Sequence, residues 1–288
     1  MKDKGWVVFT ALLDQHPPDA QQELLQHLSE EERQALGDTA SIAYRLDGFV
    51  ANPLQRMDQV HYSWLVPLLK PMAPAMQKVL CSALSEEISV QICIQLEMKE
   101  PLPKPAPSVR FLLLHYLLSK LQPEKVMPRQ SLPLTPLTDL LELPKAQLIQ
   151  LIDFLGIQSL AVEMQQTLNK SILQKARDCL SPVQQKFLDR CLQTKVKVAG
   201  VPSDLLQWMK TPQEFTKRLH ERGLLRMAHA LQGEDASFLW HLSHKLDVGR
   251  GRYLESQFAA QAARGTVASG RANLPVLELL HLFQKGSA

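Results

Sequence analysis

The sequence predicts an all-α protein, built from short amphipathic helices and organised in two domains. Apolar side chains recur at spacings of three and four residues, the period of a helix, and alternating strand-like runs of Val, Ile and Thr are scarce. Eight of the 19 prolines fall between residues 101 and 136, where the backbone can neither pair regularly nor stay helical. This segment therefore predicts a boundary between two helical domains.

The predicted domains differ in charge. Residues 1–100 form an acidic domain with 8 Lys and Arg against 14 Asp and Glu. Residues 101–136 form a proline-rich connector that holds one apolar helix, VRFLLLHYLLSKL, and residues 137–288 form a basic domain. From residue 101 onwards the chain carries 24 Lys and Arg against 15 Asp and Glu. Opposite charges on two domains favour docking onto each other or onto different partners.

Capping boxes predict where several helices begin. In each box a Ser or Thr can cap the helix, and a Glu or Gln three residues later can return a hydrogen bond to the cap. Two of the boxes also place proline at the first helical position, where its missing N–H costs nothing. The three boxes are Ser29-Glu-Glu-Glu32, Ser181-Pro-Val-Gln184 and Thr211-Pro-Gln-Glu214.

Glycines predict where helices end. Gly37, Gly223 and Gly233 each follow an amphipathic run, at a point where a left-handed residue would let the chain turn. Helices of about ten residues are marginal in isolation, so each must be stabilised by packing against its neighbours.

Three segments share one plan: a leucine-rich helix, a short turn of polar or small residues, and a second amphipathic helix. They are ELLQHLSEEERQAL at 23–36, SWLVPLLKPMAPAMQKVLCSAL at 63–84 and MAHALQGEDASFLWHL at 227–242. Repeated helical hairpins of this kind stack into armadillo-like layers. The spacing is too irregular for a solenoid with a fixed period.

These hairpins carry a resemblance to a known family. LLQHLSEEERQAL and HYSWLVPLLKPMAPAMQKVLCSAL resemble the armadillo-like domains of the flagellar switch protein FliG. The helical build without an enzyme motif is similar to cytosolic components of type III secretion systems, in particular a chlamydial component in the position of the SctK accessory protein. The chain departs from FliG in lacking a recognisable version of its torque-generating charged ridge.

The resemblance implies a non-catalytic scaffold or adaptor in the cytoplasm, at the inner-membrane face of a secretion apparatus. It implies ring, stator or export-ATPase subunits as partners, and it leaves the oligomeric state open. The basic residues are too dispersed, with too few aromatic residues between them, to predict nucleic-acid binding. The chain shows neither an export signal nor an apolar run of roughly 18 residues, so no membrane insertion is expected.

Motifs of enzymes and cofactor sites are absent from the sequence. It contains no phosphate-binding loop followed by Lys-Ser or Lys-Thr, no GxGxxG, no GxSxG and no HExxH. The four cysteines form two distant pairs, each twelve residues apart, and this spacing favours buried thiols over a zinc site. We therefore expect no catalytic residue, no cofactor and no metal.

The stretch FLWHLSHKLDVGRGRYLE, residues 238–255, is the most unusual in the chain. Helical spacing predicts one buried stripe, which consists of Phe238, Leu239, Leu242 and Leu246. The same spacing predicts that His241 lies at the flank of this stripe and that His244 faces solvent. Gly249 and Gly251 then predict an exit turn, with a new helix that begins near Tyr253.

Two interpretations of this region remain open. Trp240 points away from the apolar stripe, and an exposed tryptophan is a good anchor for a partner, so Trp240, Arg250 and Arg252 are predicted to contact a partner protein. The alternative is a helical enzyme or regulator whose site is built from His220, His229 and His241. A deep pocket with convergent polar groups would favour the alternative, whereas a broad apolar and charged surface would favour the adaptor.

Overall fold

The protein is described by a computed structural model that covers residue 9, residue 13, and residues 18–40, 53–98, 103–121, 126–193, 211–263 and 273–285. Over these residues the fold is all α, which confirms the predicted class. The chain divides into two compact units: unit 1 is Met1–Pro133 with Asp235–His241, and unit 2 is Leu134–Glu234 with Leu242–Ala288. The predicted boundaries at residues 100 and 136 and the armadillo-like layering stay predictions.

Unit 1 contains seven described helices and two 3₁₀ turns. The helices are α1 (Pro18–Gln26), α2 (Glu30–Ala40), α3 (Pro53–Asp58), α4 (Val66–Leu69), α5 (Pro74–Ala83), α6 (Glu86–Gln95) and α7 (Pro107–Leu121). The 3₁₀ turns are Tyr62–Trp64 and Arg129–Ser131.

Unit 2 is built mainly from longer helices. These are α8 (Lys145–Gln166), α9 (Lys170–Asp178), α10 (Pro182–Gln193), α11 (Pro212–Ala230), α13 (Val248–Ala263) and α14 (Leu274–Lys285), with a 3₁₀ turn at Thr138–Leu141. Helix α12 (Ala236–Lys245) begins in unit 1 and ends in unit 2.

The predicted helix starts are confirmed. At the start of α10, Ser181 N–H donates to Gln184 Oε1 at 3.0 Å and Gln184 N–H donates back to Ser181 Oγ at 3.4 Å. Ser29 and Glu32 form the same reciprocal pair at the start of α2. Thr211 Oγ1 accepts a first-turn N–H of α11. Each cap satisfies backbone donors that have no partner inside the helix.

Only one of the three predicted glycine stops is correct. Gly233 follows α11 with a φ of +92°, the left-handed conformation that glycine adopts at little cost. Gly37 lies inside α2 and Gly223 lies inside α11, so both predictions were wrong. Gly223 has a different structural role, which is described below.

The core of unit 1 forms around α7, which packs on α3 and α5. Leu114, Leu117 and Leu118 of α7 are buried in this core. Other buried members are Met57, Leu65, Leu69, Leu80, Cys81, Ala83, Leu84 and Ile92. Arg110 ties α7 to the end of α5, because its Nε–H donates to the Ala83 carbonyl at 2.8 Å.

The core of unit 2 forms around α8, which packs against α10, α11 and α14. Twelve of its 22 residues are buried, distributed around its circumference. A helix that is apolar on all sides is expected to be enclosed by other helices. Phe154 of α8 stacks on Phe187 of α10, with ring centroids 4.2 Å apart.

Helices α8 and α11 run in the same direction. Asp153 pairs with His220, and Ser159 accepts a hydrogen bond from Arg226. The partners in both pairs are 67 residues apart in sequence. A constant offset means that a step forward along one helix is matched by a step forward along the other, so the two helices are parallel.

Each helix has a glycine where α8 and α11 cross. These two glycines, Gly156 and Gly223, are also 67 residues apart in sequence. A Cβ atom on Gly223 would lie 1.9 Å from the Ile152 carbonyl oxygen, and one on Gly156 would lie 2.2 Å from that of Leu219. Both obstacles are backbone atoms of the opposite helix and cannot rotate away. Glycine therefore allows an approach of α8 and α11 that any side chain would prevent.

Candidate functional site

A pocket of about 770 Å³ opens in unit 2 where α8 and α11 meet the start of α13. Its volume lies within the usual range for sites that bind small molecules, roughly 300–1,000 Å³. Its walls combine apolar and charged side chains: Ile149, Asp153, Pro212, Gln213, Thr216, Lys217, His220, Glu221, Leu224, Asp247, Gly249, Arg250 and Tyr253.

Local sequence explains how α13 contributes to this pocket. Asp247 precedes the helix, and its Oδ1 accepts the backbone N–H of Arg250 at 3.2 Å, an N-terminal cap. The backbone carbonyl of Asp247 accepts the N–H of Gly251 at 2.8 Å. The helix therefore begins at Val248, so the prediction of an exit turn at Gly249 and Gly251 was wrong. The cap starts the helix early and places Arg250 in its first turn.

Four side chains in the pocket form a continuous chain of polar contacts. His220 Nδ1 lies 2.6 Å from Asp153 Oδ1, and His220 Nε2 lies 2.8 Å from Arg250 Nε. Because an arginine Nε can only donate, Nε2 of His220 must be the acceptor, and Nδ1–H then donates to Asp153. The imidazole in this arrangement is neutral. Arg250 Nη1 also donates to Asp247 Oδ2.

Two further titratable groups lie within electrostatic range of this chain. Burial lowers the pKa of Lys145, while Asp247 raises it and Arg250 lowers it. Burial also raises the pKa of Tyr253, and Glu221 raises it further against the opposing effect of Arg218 and Arg222. The pocket therefore mixes both signs of charge beside its apolar walls.

The structure brings only part of the predicted sites together. Arg250 lines the pocket, Arg252 is exposed on α13, and Trp240 is half-buried on the part of α12 that belongs to unit 1. Of the histidines proposed for the alternative site, His220 lines the pocket. His229 is half-buried on α11 and is not among the residues that line this pocket. Whether Trp240, Arg250 and Arg252 contact a partner stays a prediction.

The histidines of α12 are less accessible to solvent than the sequence predicted. His241 Nε2–H donates to the Met127 carbonyl at 2.8 Å, and burial lowers the pKa of His241. His244 is only 6% exposed, with Nδ1 3.1 Å from Ser243 Oγ. The prediction that His244 faces solvent was therefore wrong, because α12 is enclosed on more than the one side that its apolar stripe marks.

Asp153 is the important residue that the sequence reasoning missed. It is the single charged residue in the apolar run LIQLIDFLGIQSLA of α8. A carboxylate inside a helix that is otherwise apolar on all sides is costly unless it has a partner, so this pattern indicates a paired or functional group. Its partner could not have been read from the pattern, because His220 lies on a helix 67 residues away.

Unit 1 has a second candidate site, because three consecutive helices expose large apolar side chains; we call the exposed sides of these helices the α5–α7 surface. It consists of Met76, Val79, Val90, Ile94, Val109, Phe111, Leu112 and Tyr116. Val109, Leu112 and Tyr116 share one side of α7, opposite its buried leucines. Leu112 is 67% exposed and Ile94 is 64% exposed. Concentrations of large exposed apolar groups usually mark binding surfaces.

No cluster of three or more His, Cys, Asp or Glu side chains able to hold a metal occurs within the described ranges. No described helix combines the length and apolarity needed to cross a bilayer. Comparison with protein-family models, with curated proteins and with solved structures gave no match.

Proposed function

We propose that this chain is a non-catalytic adaptor of a type III secretion apparatus, positioned at its cytosolic face on the inner membrane. The observation that supports this most is the α5–α7 surface, with its eight large apolar side chains exposed on one unit. Exposure of such a surface to water is unfavourable, so its burial under another protein would stabilise a complex. The proposed partners are ring, stator or export-ATPase subunits of the apparatus.

Helix α7 suits this role because it is apolar on two opposite sides. Leu114, Leu117 and Leu118 anchor it in the core of unit 1, so the side with Leu112 and Tyr116 is presented on a fixed element. Helices with an exposed apolar side are commonly recognised by a groove or by another helix. A rigid presentation lowers the entropy that binding must overcome.

The test is a pull-down from a host that carries a type III secretion apparatus, with subunits identified by mass spectrometry. The test variant is Leu112→Glu with Tyr116→Glu, which places two charges on the α5–α7 surface. The matched control is Val183→Glu, since Val183 is also exposed, at 55%, but lies on α10 of unit 2. Wild type and control should recover the secretion subunits, and the double variant should lose them.

Two results would contradict the adaptor proposal. The first is wild-type protein that recovers no ring, stator or export-ATPase subunit. The second is a double variant that keeps the same subunits as wild type. Circular dichroism of all three proteins must show the same helical content, so that loss of binding is not loss of folding.

A further inference from the structure

The unit 2 pocket contains an arginine whose orientation is fixed from two sides. Nε of Arg250 donates to His220, and Nη1 donates to Asp247. His220 is itself held by Asp153, so the acceptor for Arg250 cannot rotate freely. A guanidinium held in this way loses little conformational entropy when a ligand binds.

The same contacts leave one end of the guanidinium available. Within the described part of the chain, Nη2 of Arg250 has no hydrogen-bond partner. Nη2 carries two N–H donors, and arginine N–H groups bind planar oxygen anions, carboxylates among them, particularly well. Asp247 already pairs with the guanidinium through Nη1, so a ligand carboxylate at Nη2 would be the second carboxylate on Arg250.

The remaining walls indicate what such a ligand carries besides its anionic group. Ile149, Leu224, Pro212 and the ring of Tyr253 present apolar surface to the cavity. A pocket of this size is suited to a molecule with an apolar body of aliphatic or aromatic carbon.

The charges also limit the ligand to a single negative charge. The pocket is lined by three carboxylates and two cations: Asp153, Glu221, Asp247, Lys217 and Arg250. A third cation, Lys145, lies close enough to interact electrostatically with Asp247 and Arg250. A dianion such as a phosphate monoester would meet carboxylates from several sides without enough cations to offset them. A monoanionic carboxylate needs only the N–H groups of Arg250.

We infer that this pocket binds a small organic carboxylate with an apolar body, whose carboxylate accepts hydrogen bonds from Nη2 of Arg250. Asp153 and His220 are positioning residues that hold the guanidinium in place. The site lies in unit 2 and does not depend on the adaptor role, which concerns the α5–α7 surface of unit 1.

The test is calorimetric titration of the full chain with octanoate and with phenylbutyrate, each compared with its own primary amide. The amide keeps the apolar body and removes the charge. At least one carboxylate should bind with a Kd below about 1 mM, and its amide should bind about tenfold or more weakly. This comparison uses wild-type protein only, so it does not depend on whether any variant folds.

Variants then locate the contact. Arg250→Gln should weaken carboxylate binding by about tenfold or more and leave the weak amide binding unchanged. Arg252→Gln is the matched control, because it removes the same charge from the exposed side of the same helix, and it should bind like wild type. His220→Gln retains an acceptor near the position of Nε2 and should bind more tightly than His220→Leu at a temperature where both variants are folded.

Three outcomes would overturn the inference. The first is that neither carboxylate shows a measurable heat of binding under conditions where the protein is folded. The second is that acid and amide bind equally, which would make the pocket simply apolar. The third is that Arg252→Gln loses as much binding as Arg250→Gln does. Binding would then depend on the overall positive charge and not on the oriented guanidinium of Arg250.

Discussion

The two units place their large apolar side chains in different ways. In unit 1, α5, α6 and α7 expose eight of them on consecutive helices while a small core is buried beneath. In unit 2, α8 is enclosed by α10, α11 and α14, and the exposed apolar residues are scattered over separate elements: Leu134, Leu168, Val183, Leu274 and Leu282. Unit 1 thus offers a surface, and unit 2 offers a pocket.

The difference teaches that similar helical composition can serve two kinds of binding. A short helix such as α7 that packs on one side leaves its opposite side for another molecule. A long helix such as α8 that packs on all sides leaves no apolar surface, so a site can form only where its neighbours separate near one end. Each of the following predictions tests one side of this comparison.

The largest effect on the free energy of unfolding is expected from a substitution on the buried side of α7. Leu117→Ala removes a fully buried side chain and should lower the free energy of unfolding by about 2–5 kcal/mol. Leu112→Ala, on the exposed side of the same helix, should change it by no more than about 0.5 kcal/mol. Urea titration followed by circular dichroism measures both. Equal losses in the two variants would mean that α7 does not have one buried and one exposed side.

A substitution at the glycine crossing of α8 and α11 in unit 2 should lower the free energy of unfolding by nearly as much. Gly223→Ala forces α8 and α11 apart at the Ile152 carbonyl and should cost about 3 kcal/mol, the upper end for overpacked cores. Gly249→Ala is the control, since its Cβ would meet only a side-chain oxygen at 3.3 Å.

Alkylation of Cys191 offers a second measurement of the crossing. Burial raises the pKa of this thiol to about 11, so it should react slowly in wild type and in Gly249→Ala. In Gly223→Ala the reaction should accelerate as unit 2 opens more often. An unchanged Cys191 rate together with unchanged stability would show that the helices can separate at no cost.

A smaller effect is expected in the pocket. His220→Leu removes a donor from Asp153 and an acceptor from Arg250, both part-buried, and should lower the free energy of unfolding by about 1–2 kcal/mol. His220→Gln should recover part of this loss. If His220→Leu is more stable than wild type, the polar chain is costly to the fold and is kept for binding alone.

The smallest expected effect is the pH dependence of stability that comes from His241 of unit 1. The pKa of His241 is lowered below 6.5, first by burial and then by Arg129 and Arg56, although the bond to Met127 opposes this. Between the folded and the unfolded pKa, the unfolded chain binds more protons. The contribution of His241 to stability is therefore present above about pH 6.5 and is lost as pH falls through the folded pKa, by at most about 1.4 kcal/mol per pH unit.

The pH prediction is checked by denaturant unfolding between about pH 7.5 and pH 5, the range over which histidine titrates. His241→Gln should show a flatter dependence on pH than wild type, while the remaining histidines are common to both proteins. Parallel curves for the two proteins would mean that His241 titrates equally in the folded and unfolded states.

The sequence predicted the local features of the fold well, because their causes are local. The capping boxes at Ser29, Ser181 and Thr211 depend on four adjacent residues. At Ser29 and Ser181 both hydrogen bonds of the box form, and at Thr211 the cap accepts the N–H of Glu214. Gly233 also acts within its own turn. Gly223 was misread as a stop because the reason for its presence is the backbone of another helix, which no local pattern contains.

The candidate site was predictable only in fragments for the same reason. His220 and Arg250 could be noted as single residues, but the chain of polar contacts in the pocket also needs Asp153, which α8 brings within 2.6 Å of His220. His244 was misplaced because one apolar stripe was taken to mark the only buried side of α12. Burial of Ser243 and His244 shows that neighbouring elements also cover the polar flank.

The parallel pairing of α8 with α11 has a consequence for how the chain folds as it is synthesised. Gly156 and Gly223 lie at the crossing of α8 and α11, so the ribosome has to add a further 67 residues after Gly156 before this crossing can form. During that interval the apolar α8 lacks its main partner, a condition that invites aggregation or capture by chaperones. Unit 1 depends mainly on neighbours within its first 121 residues and can collapse earlier, so the slow, chaperone-sensitive step of biogenesis should belong to unit 2.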